Sequence, residues 1–198
     1  MLEWVAKGTA AFQAEVHALT DPAFGEPSCL PGWSRAHVVA HLARNADALL
    51  NLLTWARTGV ETPMYTSTDQ RAREIDAGAR RPAGELRSDL LEAPTRVSRG
   101  NWPRCPTRAG RRPSRQRGDA RCPSGIPWMR VREVWVHAVD LDTGCGFADV
   151  PREVCAALVD DVAAGFRART DFPPVELRAK GAVAPGSSVC PAVPARSW

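Results

Sequence analysis

Leu2, Val5, Phe12, Val16 and Leu19 recur mostly at three- and four-residue steps, which predicts an amphipathic helix over residues 2–19. Asp21-Pro22 ends it, and a Pro/Gly-rich loop follows to Gly32. Ser34 suits a helix N-cap, and no breaker interrupts the chain until Gly59, so a second helix is expected over 35–58. Ser67 and Gln70 have the spacing of a capping box and predict a shorter helix from Ser67. Leu86, Leu90 and Leu91 predict another over 82–93, with Pro94 stopping or kinking it. From 98 to 125 the apolar period vanishes into Arg, Pro, Gly and Ser. It returns after Pro127 as a helix over 128–141. Asp149 can cap a last helix over 151–169, with Pro151 in its first turn. Beyond Pro173-Pro174 only Val175–Arg178 has a strand-like pattern, and the tail from Gly181 is rich in Pro, Gly and Ser. The expected fold is all-α: a bundle with 2–19, 35–58, 128–141 and 151–169 as its main helices, filling residues 1–172. Residues 173–198 are expected to be the remnant of a second domain or a disordered tail.

Composition narrows the class. With 198 residues, 44% of them hydrophobic, the chain is long enough to bury a core and too apolar to be disordered throughout. The longest uncharged run, Gly181 to Ala195, contains three prolines and cannot be a membrane span. The N-terminus mixes polar and apolar residues from Met1-Leu-Glu-Trp onward, unlike a signal peptide, so a cytoplasmic location is expected. Six cysteines (29, 105, 122, 145, 155 and 190) are scattered with no Cys-x-x-Cys, which fits free thiols better than a disulfide framework or a cysteine zinc site. The net charge of +4 is unevenly spread: eight arginines and one acid between Ser98 and Arg121 give that segment +7 and leave −3 for the rest.

Two helix faces carry candidate chemistry. On the helix 35–58, His41 shares its face with Val38, Ala48 and Leu52, so its imidazole points inward. His37 lies one turn earlier, near the helix start and the solvent boundary. A lone core histidine usually just satisfies a carbonyl. On the helix 128–141, Glu133 and His137 stand four residues apart and can reach one point. Asp140 falls in the same stripe, while Val131, Val134, Trp135 and Ala138 cover the opposite side. A carboxylate on such a buried helix needs a partner, although a surface Glu–His pair is the simpler reading of Glu133 and His137 alone. Taken together, two imidazoles and a carboxylate on inward faces of two helices make a metal site the stronger reading. Two His plus one Glu is a catalytic zinc set with a coordination position left open. Asp140 then reads as the group that orients an imidazole.

Three stretches carry a family resemblance: Leu30-Pro-Gly-Trp-Ser-Arg-Ala-His-Val-Val-Ala-His-Leu-Ala-Arg-Asn-Ala-Asp-Ala-Leu, Leu53-Thr-Trp-Ala-Arg-Thr-Gly, and Pro127-Trp-Met-Arg-Val-Arg-Glu-Val-Trp-Val-His-Ala-Val-Asp-Leu-Asp. They resemble the metal-binding domain of mycothiol-dependent maleylpyruvate isomerases, within the DinB-like superfamily of four-helix metalloproteins. The similarity covers about 1–97 and 126–172. It implies a helical bundle, a divalent metal (usually zinc) on His41, Glu133 and His137, and the low-molecular-weight thiol mycothiol as cofactor. The implied reaction turns maleylpyruvate into fumarylpyruvate. A thiolate adds to the conjugated alkene, rotation follows about the resulting single bond, and the thiolate leaves. No protein cysteine is needed as nucleophile.

Two segments depart from the family pattern. Relatives carry a helix-compatible, mixed-charge sequence where this chain has its arginine run at 98–125. They also continue into a second α/β domain that helps bind substrate, whereas only 24 residues follow Pro174 here. Both segments have the Arg/Pro/Gly/Cys bias that a shifted reading frame in GC-rich DNA produces. The resemblance therefore implies a metal- and mycothiol-dependent isomerase acting on a small dicarboxylate, with reduced or absent turnover expected if the second domain is missing. The alternatives are a non-enzymatic metal-binding module and a mycothiol-dependent S-transferase. Nucleic-acid binding through the arginine run is disfavoured, since only Trp102 lies nearby to stack on bases.

Overall fold

The computed structural model describes residues 1–99, 125–167, 174–176 and 189–191. Six helices appear in the order α1 (Leu2–Ala18), α2 (Arg35–Thr58), α3 (Thr68–Ala79), α4 (Ala83–Arg99), α5 (Ile126–Asp140) and α6 (Arg152–Arg167), followed by two short strands, β1 (Pro174–Glu176) and β2 (Val189–Pro191). The chain divides into two compact units, Met1–Gly146 and Phe147–Trp198. Among the described residues no helix is long and apolar enough to cross a membrane.

In the first unit α2 is the central element. It packs against α3, α4 and α5, while α1 closes the bundle against α5 and α4. The four helices that pack together here are thus α1, α2, α4 and α5. The fourth place expected for the helix over 151–169 belongs instead to α4, since α6 falls in the second unit. The reason is α4's own apolar stripe: Leu86, Leu90 and Ala93 are buried, whereas Leu91 points to solvent. Phe12 and Val16 of α1, Val38, Leu42, Leu49 and Leu53 of α2, and Val131, Val134 and Ala138 of α5 complete the core.

Helix limits follow local chemistry. Gly59 ends α2 in the left-handed conformation at φ +74°, its N–H bonding the Trp55 carbonyl. At the other end His37 completes the cap: its Nδ1 accepts from the Ser34 N–H at 3.2 Å, as Glu or Gln would in a capping box. Ser67 Oγ accepts from the Gln70 N–H at 3.0 Å as the capping-box spacing predicts, but the Gln70 side chain reaches the Thr66 N–H at 2.7 Å.

Pro94 does not stop α4, whose backbone stays helical to Arg99. Proline lacks the N–H that the Leu90 carbonyl would accept, and Gln13 Nε2 of α1 donates to that carbonyl instead, at 3.4 Å. Ser98 and Arg99 are therefore helical. The rest of the arginine run, residues 100–124, lies outside the described residues, as do 177–188 and 192–198.

In the second unit α6 begins at Arg152. The Pro151 carbonyl accepts from the N–H groups of Val154 and Cys155 at 2.9 and 3.0 Å, so Pro151 stands at the N-cap rather than inside the first turn. The strand-like pattern near Val175 forms β1, which pairs antiparallel with β2 in the register Pro174–Pro191, Val175–Cys190 and Glu176–Val189. β2 has no counterpart among the elements the periodicity predicts. Cys29, Cys145 and Cys155 are free thiols.

Candidate metal centre

Two helices with no hydrogen bonds between their backbones must be locked in register before their side chains can converge. Arg35, the first residue of α2, does this. Its Nε donates to the Leu141 carbonyl at 2.8 Å and its Nη2 to the Asp142 carbonyl at 2.7 Å, while Nη1 pairs with Glu26. These are the free carbonyls at the end of α5, where a cation is favoured. The start of α2 is thereby fastened to the end of α5, and the two helices run antiparallel. Further along, Arg130 is buried and donates to the Leu42 carbonyl at 3.0 Å and to Asn45 Oδ1 at 2.8 Å. Between these two fasteners lie His41, Glu133 and His137.

The three side chains meet as the helical phases predict. His41 Nε2 is 2.8 Å and His137 Nε2 is 3.4 Å from the same oxygen, Glu133 Oε2. The imidazoles stand perpendicular, with centroids 4.9 Å apart. One ligand atom from each residue falls within 4.8 Å of the other two, so a small inward adjustment brings all three onto a single divalent cation. His41 is almost fully buried, whereas 27% of the Glu133 side chain is exposed, so the site opens on the Glu133 side.

Each ligand is held from behind. Asp140 Oδ2 lies 2.8 Å from His137 Nδ1 and accepts its proton, which leaves Nε2 facing Glu133. Trp33 packs edge-on against the His41 ring with centroids 5.6 Å apart. His41 Nδ1, however, faces no carboxylate. Arg71 Nη2 of α3 lies 3.3 Å from it, and a guanidinium can only donate. In this arrangement Nδ1 accepts and Nε2 carries the proton toward Glu133.

Ionisation follows from these contacts. Burial pushes the His41 imidazole below its ordinary value. Burial acts the same way on His137, but the carboxylates of Asp140 and Glu133 outweigh it and raise that imidazole to about 9. Burial alone would raise the Glu133 carboxyl. Hydrogen bonds and charge from His137 and His41 reverse this and hold it well below the usual carboxylate range. The cluster combines an ionised carboxylate with imidazoles whose protons a cation must displace.

All four residues named from the sequence, His41, Glu133, His137 and Asp140, are brought together. His37 serves as the α2 cap instead. Three neighbours were not foreseen: Trp33, Arg71 and Tyr65. Trp33 lies in the loop before α2, and only the resemblance includes it. Arg71 and Tyr65 carry no sequence signal, because α3 reaches the site through packing. Its Ile75 is buried, and Gly78 comes so close to α2 that an added Cβ would lie 2.8 Å from that of Ala40.

A helical bundle with a His–Glu–His cluster between two antiparallel helices defines a class, and comparison with known proteins gives the family. The sequence profile of the mycothiol maleylpyruvate isomerase N-terminal domain matches residues 5–142, and the chain belongs to that family. Two solved structures are similar. One is a crystal structure of the mycothiol-dependent maleylpyruvate isomerase, with 31% identity and a TM-score of 0.80, over 99% of this chain and 80% of that one. The other is a histidine-to-alanine mutant of a mycothiol-dependent maleylpyruvate isomerase, with 30% identity and a TM-score of 0.79 over the same shares. Among curated proteins none matches.

Proposed function

We propose that this chain is a divalent-metal-binding domain acting in mycothiol-dependent cis–trans isomerisation of a small enedioate of the maleylpyruvate type, in the cytoplasm. His41, Glu133 and His137 would hold the metal, with zinc the best match to two imidazoles and one carboxylate. The observation that carries the reading is the convergence of these three donors, with ligand atoms within 4.8 Å of one another. When bound, the metal and the thiol together supply a thiolate nucleophile near neutral pH, able to add reversibly to a conjugated alkene.

The chain's own residues do the rest. Asp140 holds the His137 Nδ1 proton, so that Nε2 is the nitrogen presented to a cation, which displaces its proton. Glu133 remains ionised and brings a negative charge to balance the cation. Arg35 and Arg130 fix the register of α2 on α5, which brings the donors together. The open side at Glu133 is where a thiol and a substrate would enter.

The test is an isomerisation assay with maleylpyruvate and mycothiol. Any turnover by the zinc-loaded protein, full or reduced, is expected to be lost on chelation and regained when zinc is restored. Turnover that survives complete chelation would sink the reading. A metal-loaded chain with no turnover would reduce it to a metal-binding module.

A further inference from the structure

Arg71 is a half-buried cation whose contacts do not account for it. Among the described residues no carboxylate lies within salt-bridge distance of it. Its partners are His41 Nδ1 at 3.3 Å and the face of Tyr65, whose ring centroid is 5.8 Å from the guanidinium carbon. Tyr65 is the second anomaly: its hydroxyl is enclosed, and beyond a loose approach of the Arg71 guanidinium it meets no hydrogen-bond partner. A guanidinium without a carboxylate, beside an enclosed hydroxyl whose own proton has no acceptor, offers the donors that a carboxylate group takes.

The contact with His41 is also one the site must give up. A neutral imidazole has one donor and one acceptor nitrogen. If Nε2 gives its lone pair to a cation, Nδ1 carries the proton and becomes a donor. Arg71 offers only donors, so the two would oppose each other across 3.3 Å. Loading the centre therefore frees the guanidinium beside Tyr65.

Resting on the metal reading above, we propose that Arg71 and Tyr65 form a carboxylate subsite beside the metal centre, supplied by α3 and the loop before it. Its ligand is a carboxylate group of the enedioate substrate. Arg71 takes the charge with paired N–H donors, and the Tyr65 hydroxyl donates alongside. The subsite places substrate recognition on the helical unit itself.

Calorimetric titration of the zinc-loaded chain with maleate, a cis-enedioate, tests this, with zinc content measured on the same samples. Wild type is expected to bind maleate. Arg71→Met should weaken binding by about 10- to 100-fold at unchanged zinc content, the loss of a charge-assisted pair. Arg71→Lys should recover part of it, and Tyr65→Phe should cost about 5-fold. No maleate binding by zinc-loaded wild type, or unchanged affinity in Arg71→Met with zinc retained, overturns the subsite and leaves the metal reading standing. Loss of zinc from Arg71→Met makes Arg71 part of the metal-holding shell and also overturns it. A wild-type chain that takes up no zinc overturns both.

Discussion

Replacing Gly8 by alanine is a perturbation for which two simple arguments give opposite signs. Alanine is favoured over glycine inside a helix by about 1 kcal/mol, so propensity alone predicts a more stable protein. Packing predicts the reverse. A Cβ on Gly8 would lie 2.5 Å from Val134 Cγ2 and 2.6 Å from Trp135 Nε1. Neither neighbour can swing away freely: Val134 is fully buried, and the Trp135 indole donates to the Trp4 carbonyl at 3.0 Å. Relief requires α1 and α5 to separate, which costs about 1–3 kcal/mol by overpacking plus about 1 kcal/mol for the indole bond. The net expectation is destabilisation by about 1–3 kcal/mol. Equilibrium urea unfolding followed by circular dichroism measures it, with Gly84→Ala as control. No atom lies within 4 Å of the added Cβ at Gly84, so that change should stabilise by at most about 1 kcal/mol. If Gly8→Ala stabilises as much as Gly84→Ala, the close approach of α1 to α5 is wrong.

Other expectations follow from charge and hydrogen bonding. Asp140→Asn should lower zinc affinity by about 10- to 100-fold at unchanged stoichiometry in competition titrations, because it weakens the acceptor that orients His137. In the metal-free chain the folded pKa of His137, about 9, exceeds the ordinary ~6.5, so its stabilising contribution is complete below about pH 6.5 and is lost as pH rises through about 9. Chemical denaturation of that form should show stability falling by about 3 kcal/mol over this window, a slope that His137→Gln removes. Asp89 accepts from Arg44 at 2.6 Å and from Arg81 at 2.8 Å, and Asp89→Ala should cost about 1–2 kcal/mol in thermal unfolding.

What the sequence disclosed depended on whether the information was local. The inward phase of His41 on α2, and of Glu133 and His137 on α5, is a property of 3.6-residue periodicity, so the cluster was legible before any packing was known. Ser34 and Gly59 marked the ends of α2 for the same reason. Leu90 shows the limit: local chemistry says that Pro94 breaks the helix, yet a glutamine from another helix satisfies the orphaned carbonyl. Nothing local sets Arg130 apart from the chain's other arginines, and only the α2–α5 contact makes it a buried fastener. Arg71 and Tyr65 were invisible because nothing in α3's own pattern states that Gly78 and Ile75 bring it onto α2. Likewise β2 has no alternating pattern, and its pairing with β1 is set across a separation that periodicity cannot span.

The most direct test of the central claim is the metal content of the purified protein. Elemental analysis of wild type, His41→Ala and Glu133→Gln, each dialysed against the same buffer with limiting zinc, should find one zinc per wild-type chain and almost none in either variant. The circular dichroism of all three should agree, since the donors converge on helices that Arg35 and Arg130 already hold. A wild-type chain without stoichiometric metal, or a His41→Ala chain that keeps it, would contradict the account.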